Sequence, residues 1–100
     1  VYEVHVTEEF QDWLDGLRDR RAQARIALRL SYVEAGTLGD WRPVGDCVSE
    51  MRIDVGAGYR LYFTRRGRVV IVMLGGGDKS TQGRDIAIAR RLAAEWELRK

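Results

Sequence analysis

One hundred residues leave room for a single hydrophobic core, and an apolar content of 45% argues against a disordered chain. The net charge of +2 conceals 17 lysines and arginines set against 15 carboxylates, with arginine well ahead of lysine. The longest apolar run, Val69 to Leu74, falls far short of the roughly 20 residues a membrane-spanning helix needs, so no membrane partner is expected.

Cys47 is the lone cysteine and His5 the lone histidine, which excludes an internal disulfide and any zinc ligand set. The opening segment VYEVHVTEEF lacks the basic and apolar stretches of a signal peptide, so a cytoplasmic location is expected. Arginine-rich clusters suit bidentate phosphate recognition, although a GC-rich coding sequence produces the same bias.

Tyr2 to Val6 alternates and reads as a short strand ending at Thr7. Thr7 is placed to cap a helix whose first turn carries Glu8 and Glu9, where the helix dipole favours carboxylates. Phe10, Trp13, Leu14 and Leu17 then form one helical face. A second helix runs from about Arg21 to Ala35, with Ala22, Ile26, Leu30 and Val33 inward and Gly36 ending it. Arg21, Arg25 and Arg29 stripe its outer side, either as a solvated face or as an RNA-binding one.

Residues 37–47 contain glycine and proline with no period and read as a loop, in which Trp41 is free to stack on a base. Three strands follow, Val48 to Val55, Tyr59 to Arg65 and Arg68 to Leu74, joined by hairpin-length links with glycine. Residues 75–82, GGGDKSTQ, read as a glycine-rich turn, and Arg84 to Leu98 as a last helix. The fold class is therefore α+β: a strand and a helical hairpin packed on an antiparallel sheet, with a C-terminal helix.

The hairpin lengths suggest a register that pairs Arg52 with Tyr62, Met51 with Phe63, and Phe63 with Val70. Met51, Ile53, Leu61 and Phe63 then face the helical hairpin. Arg52, Asp54, Arg60 and Tyr62 share an open face, near one end of which Lys79 arrives in its turn. A cross-strand ion pair with a snorkelling arginine accounts for that group structurally; cations beside a glycine-rich turn also make an anion site.

GGGDKST is not a phosphate-binding P-loop, because Asp78 precedes Lys79 and Met73 stands where the motif needs glycine. His5 has no second histidine or cysteine to work with, so it reads as an ordinary strand histidine. Trp13 and Trp96 fall at helical core spacing.

The strings VSEMRIDVGAGYRLYF and VVIVMLGGGDKSTQGRDIAIA resemble the HigB-like addiction module killer proteins of the RelE/ParE toxin superfamily. FQDWLDGLRD, ARIALRL and GDWRPVG extend the likeness over nearly the whole chain. The resemblance implies a RelE-like fold and a toxin of a type II toxin–antitoxin module that cleaves mRNA on the ribosome and is blocked by a helix-turn-helix antitoxin. It implies no metal and no cofactor. Arg60 matches the pattern best as a ligand of the scissile phosphate, then Lys79, then Arg52, with Tyr62 as an orienting or proton-relay group. The histidine and carboxy-terminal tyrosine of some relatives have no counterpart here. A ParE-like gyrase inhibitor and a catalytically silent, antitoxin-binding scaffold belong to the same superfamily and stay open, since fold does not decide between them.

Overall fold

The computed structural model describes residues 1–98, and its order of elements follows the capping and spacing signals of the chain. Strand β1 (Glu3–Val6) leads to helix α1 (Glu8–Asp15), whose Phe10 amide donates to the Thr7 hydroxyl oxygen at 3.0 Å. The same hydroxyl donates to the carbonyl of Leu74 at 2.9 Å, so one side chain caps α1 and pins it to the sheet. Helix α2 (Arg20–Glu34) starts behind Asp19, which accepts from the Ala22 amide, and ends before Gly36 at φ +107°. That is the left-handed stop the sequence calls for.

Five strands follow from the topology: β1, then β2 (Trp41–Gly45), β3 (Val48–Ile53), β4 (Tyr59–Arg66) and β5 (Val70–Asp78), in the spatial order β1-β5-β4-β3-β2. The sheet is mixed rather than purely antiparallel, because β1 lies parallel to β5, with Glu3 opposite Val70 and Val6 opposite Met73. After a 3-10 turn at Lys79–Thr81, helix α3 (Gln82–Leu98) returns across the sheet. No helix among the described residues is long and apolar enough to cross a membrane.

Two hydrophobic layers sandwich the sheet, and together they make a compact α+β domain. On one face Phe10, Ile26 and Val33 of the hairpin meet Met51, Ile53, Leu61, Phe63, Ile71 and Met73. On the other, Ala89, Leu92 and Ala93 of α3 meet Val48, Tyr62, Val72 and Leu74. The expected buried face of β3 and β4 is therefore present. The continuous apolar run of β5 is explained by its being covered on both sides.

Several boundaries differ from the sequence reading. Residues 41–45, expected as loop, form the edge strand β2, joined to β3 by a tight turn in which Asp46 and Cys47 both have positive φ. An exposed edge strand containing Pro43 shows no apolar alternation, which is why its pattern is silent. Arg52 pairs with Arg60 rather than Tyr62, a slip of two that leaves each side chain on its expected face. Phe63 pairs with Met73 rather than Val70, a slip of three that reverses the faces of β5.

The three glycines expected as a turn are instead the end of β5. A bulge opposite Tyr62 and Phe63 turns Gly76 toward α1 and Gly77 toward α3. A Cβ on Gly76 would sit 2.4 Å from the Trp13 ring, which is itself packed against Phe10 and Tyr59. Gly76→Ala is therefore expected to destabilise the protein by about 1–3 kcal/mol through overpacking, read as a lower urea midpoint. Trp13→Leu in the same chain should recover part of that loss, which an effect of backbone freedom alone would not.

Candidate functional site at the cationic end of the sheet

Antiparallel parity puts Glu50 and Arg52 of β3 on the same face as Arg60 and Tyr62 of β4. That face is closed over Glu50 and Tyr62, both at 0% exposure, because α3 lies on it. The expectation of an open face fails here, since α3 covers its inner part and only the end carrying Arg52 reaches solvent. Glu50 Oε2 accepts from Arg42 Nε and from Arg60 Nη1, each at 2.9 Å, while Oε1 accepts from Gln82 Nε2 at 3.0 Å. One buried carboxylate thus ties β2, β4 and α3 together.

Glu50 escaped the sequence reading. Its signal was available, because it lies two residues before Arg52 and so on the same face, but a lone glutamate in a strand looks solvated. Arg60 keeps only 11% of its side chain exposed, and its Nε has no partner among the described residues.

The Tyr62 hydroxyl also lacks a partner among the described residues. Burial, then the charges of Glu50 and Asp85, push its pKa from the ordinary 10.0 to about 12, against the opposing pull of Arg60 and Arg42. A phenol so held stays un-ionised near neutral pH. The raised folded value means that stability is fully present below pH 10.0 and is lost as pH rises toward about 12, because the unfolded chain ionises first. A Tyr62→Phe variant is expected to flatten that alkaline arm in urea denaturation followed across this range.

Arg52 lies at the rim, where it pairs with Asp40 at 3.2 and 3.4 Å. Lys79, exposed in the 3-10 turn, passes over the β3–β4 link, its Cε 3.3 Å from where a Gly58 Cβ would be. Arg52, Arg60 and Lys79 together line a small pocket with Asp54, Gly58 and Tyr59. The three cations expected to meet do so, although two of them already face carboxylates. Asp78, half-buried beside Lys79, accepts from Ser80 N and Oγ at 2.8 and 2.6 Å, and these bonds hold its pKa below the ordinary value. Tyr59 is shifted up by burial and by Asp19 and Asp78.

The other expected RNA contacts are dispersed. Arg29 is a structural clamp that donates to the carbonyls of Leu38, Asp40 and Arg52 at 3.0, 2.8 and 2.9 Å. Burial lowers its pKa more than Asp40 raises it. Arg25 lines a second cleft beside Arg52, whereas Arg21 is exposed at the start of α2 and lines neither pocket. Trp41, 41% exposed, lies edge-on to Phe63 at 6.0 Å on the hairpin side of the sheet, away from Arg60. His5 contacts Glu3 and the Trp96 ring, as an ordinary strand histidine would. No group of metal-ligating side chains occurs among the described residues.

The chain is 42% identical to an uncharacterized protein of Haemophilus influenzae over 96 residues, covering 96% of this chain and 97% of that one. The two share one family. The likeness extends over nearly the whole of both chains. No protein-family model matches the chain.

Proposed function

We propose that the chain is a RelE/ParE-like toxin of a type II toxin–antitoxin module that cleaves mRNA on the ribosome. The observation that carries the reading is the convergence of Arg52, Arg60 and Lys79, from three separate segments, on one pocket at the end of the sheet. The resemblance in VSEMRIDVGAGYRLYF and GGGDKSTQ supports it, as does the order of strand, helical hairpin, sheet and C-terminal helix. The proposed fold is RelE-like.

In this reading a backbone phosphate sits at the rim between Lys79 and Arg52, with the outer end of Arg60 behind it. The adjacent 2′-hydroxyl attacks phosphorus and releases its proton to water, the bond to the 5′-oxygen breaks and that oxygen takes up a proton from water, and a 2′,3′-cyclic phosphate and a 5′-hydroxyl result. The cations act on the negative charge that builds up during attack. Glu50 is a positioning residue, since its contact orients Arg60. The ribosome aligns the 2′-hydroxyl, and a helix-turn-helix antitoxin is the inhibitor.

A second reading rests on the neutralisation of Arg60 by Glu50 and on the sealing of Tyr62. These features suit a toxin that only binds, either to DNA gyrase or to its antitoxin. Expression of the chain without antitoxin separates the readings. The nuclease is expected to stop translation and cut ribosome-bound messages while barely touching naked RNA. DNA breaks with intact messages select the gyrase inhibitor, and unimpaired growth selects the silent scaffold.

A further inference from the structure

A cleft lies beside this site, not within it. It is about 310 Å³, and it opens between the outer side of α2 and the end of β3. Leu28 and Tyr32, 47% and 51% exposed, stand on its α2 side, and Arg25, Arg52, Asp40 and Asp54 supply its charge. Arg52, Ile53 and Asp54 line both this cleft and the small pocket of Arg60 and Lys79, so the two adjoin along the end of β3.

Its polar groups divide into two sets. Arg29 is spent on main-chain carbonyls, and Asp40 and Arg52 hold each other. Arg25, Tyr32 and Asp54 make no side-chain hydrogen bond or ion pair among the described residues, and all three are exposed. A ligand there meets an aromatic face, a cation and a carboxylate with both oxygens available.

We propose that this cleft is a guanine-reading subsite, which takes the base of the nucleotide next to the phosphate held at Arg52 and Lys79. The proposal rests on the nuclease reading for its biological use, but the binding chemistry is independent of it. Guanine presents adjacent N1–H and N2–H donors, which match the two oxygens of one carboxylate. Adenine and cytosine offer one exocyclic donor beside an acceptor, and uracil one imino donor between two acceptors. Tyr32 supplies the stacking surface on which single-stranded bases are commonly read, and Arg25 meets the acceptors O6 and N7. The shared wall with the cationic pocket favours a nucleotide over a protein as the occupant.

The test uses the purified full chain, isotope-labelled and titrated with 5′-GMP, 5′-AMP, 5′-CMP and 5′-UMP up to millimolar concentration, with amide shifts as the readout. Shifts at Arg25, Tyr32 and Asp54 with GMP are expected, at an affinity about tenfold above the other three nucleotides, or ~1.4 kcal/mol. Asp54→Asn should abolish that preference, and Tyr32→Ala should weaken all four nucleotides alike. Both residues are exposed, so urea midpoints should stay unchanged. Equal binding of the four nucleotides, or no shift at these residues, overturns the subsite. So does protection of Tyr32 by a partner protein in a chain that ignores nucleotides, which would mark a docking surface. A chain that binds GMP here but leaves ribosome-bound messages intact keeps the subsite and loses the nuclease.

Discussion

Glu50→Ala is expected to destabilise the protein by about 3–5 kcal/mol, the range for removing one partner of a buried ion pair. Glu50 is wholly buried and Arg60 nearly so, and their 2.9 Å contact leaves Arg60 with a compensated charge inside the fold. Without the carboxylate, Arg60 and Gln82 lose their shared acceptor beneath α3. Arg42, 58% exposed, simply returns to solvent and adds little. Against a total stability of roughly 5–15 kcal/mol the loss is severe. Urea denaturation monitored by tryptophan fluorescence should show a much lower midpoint at a similar slope. Glu50→Gln, which keeps acceptor capacity but not charge, should fall between. A midpoint for Glu50→Ala within error of the parent would mean that α3 does not seal the sheet as described.

On the proposed nuclease reading, Lys79→Ala is expected to remove growth arrest without touching stability. Its side chain is exposed in the 3-10 turn and fills no core volume. Loss of one charge-stabilising contact typically lowers a rate by about 10²–10³-fold, or ~2.7–4 kcal/mol. In a toxin assay that is the difference between arrest and growth. Arg60→Ala is not an equivalent test, because it strands the buried Glu50 and lowers stability together with any activity. The informative measurement pairs survival of cells expressing Lys79→Ala with the urea midpoint of the purified variant. Arrest that persists with an unchanged midpoint removes Lys79 from the site and weakens the nuclease reading.

The sequence was most legible where one face of an element is buried and the other wet. Phe10, Ile26 and Val33 on the hairpin, and Met51, Ile53, Leu61 and Phe63 on the sheet, all lie in the core as their spacing requires. The β3–β4 pairing slipped by two without consequence, since an even slip keeps every side chain on its face. The β4–β5 pairing slipped by three, and nothing in the pattern opposed it. Val70 to Leu74 is apolar at every position, so either parity buries it equally well.

What the chain determined by itself is therefore local and periodic. Thr7 caps α1 because its hydroxyl can reach the Phe10 amide, Gly36 stops α2 because it accepts positive φ, and alternation sorts β3 and β4 into two faces. The tertiary structure alone decided what covers the second face. Once α3 packs through Ala89, Leu92 and Ala93, Glu50 is carried out of water and must find Arg60, Arg42 and Gln82. Gly76 and Gly77 follow the same logic: they hold strand positions where Trp13 and Asp85 come too close for any Cβ. Contacts between separate elements leave no period to read, because they arise from how the layers are stacked.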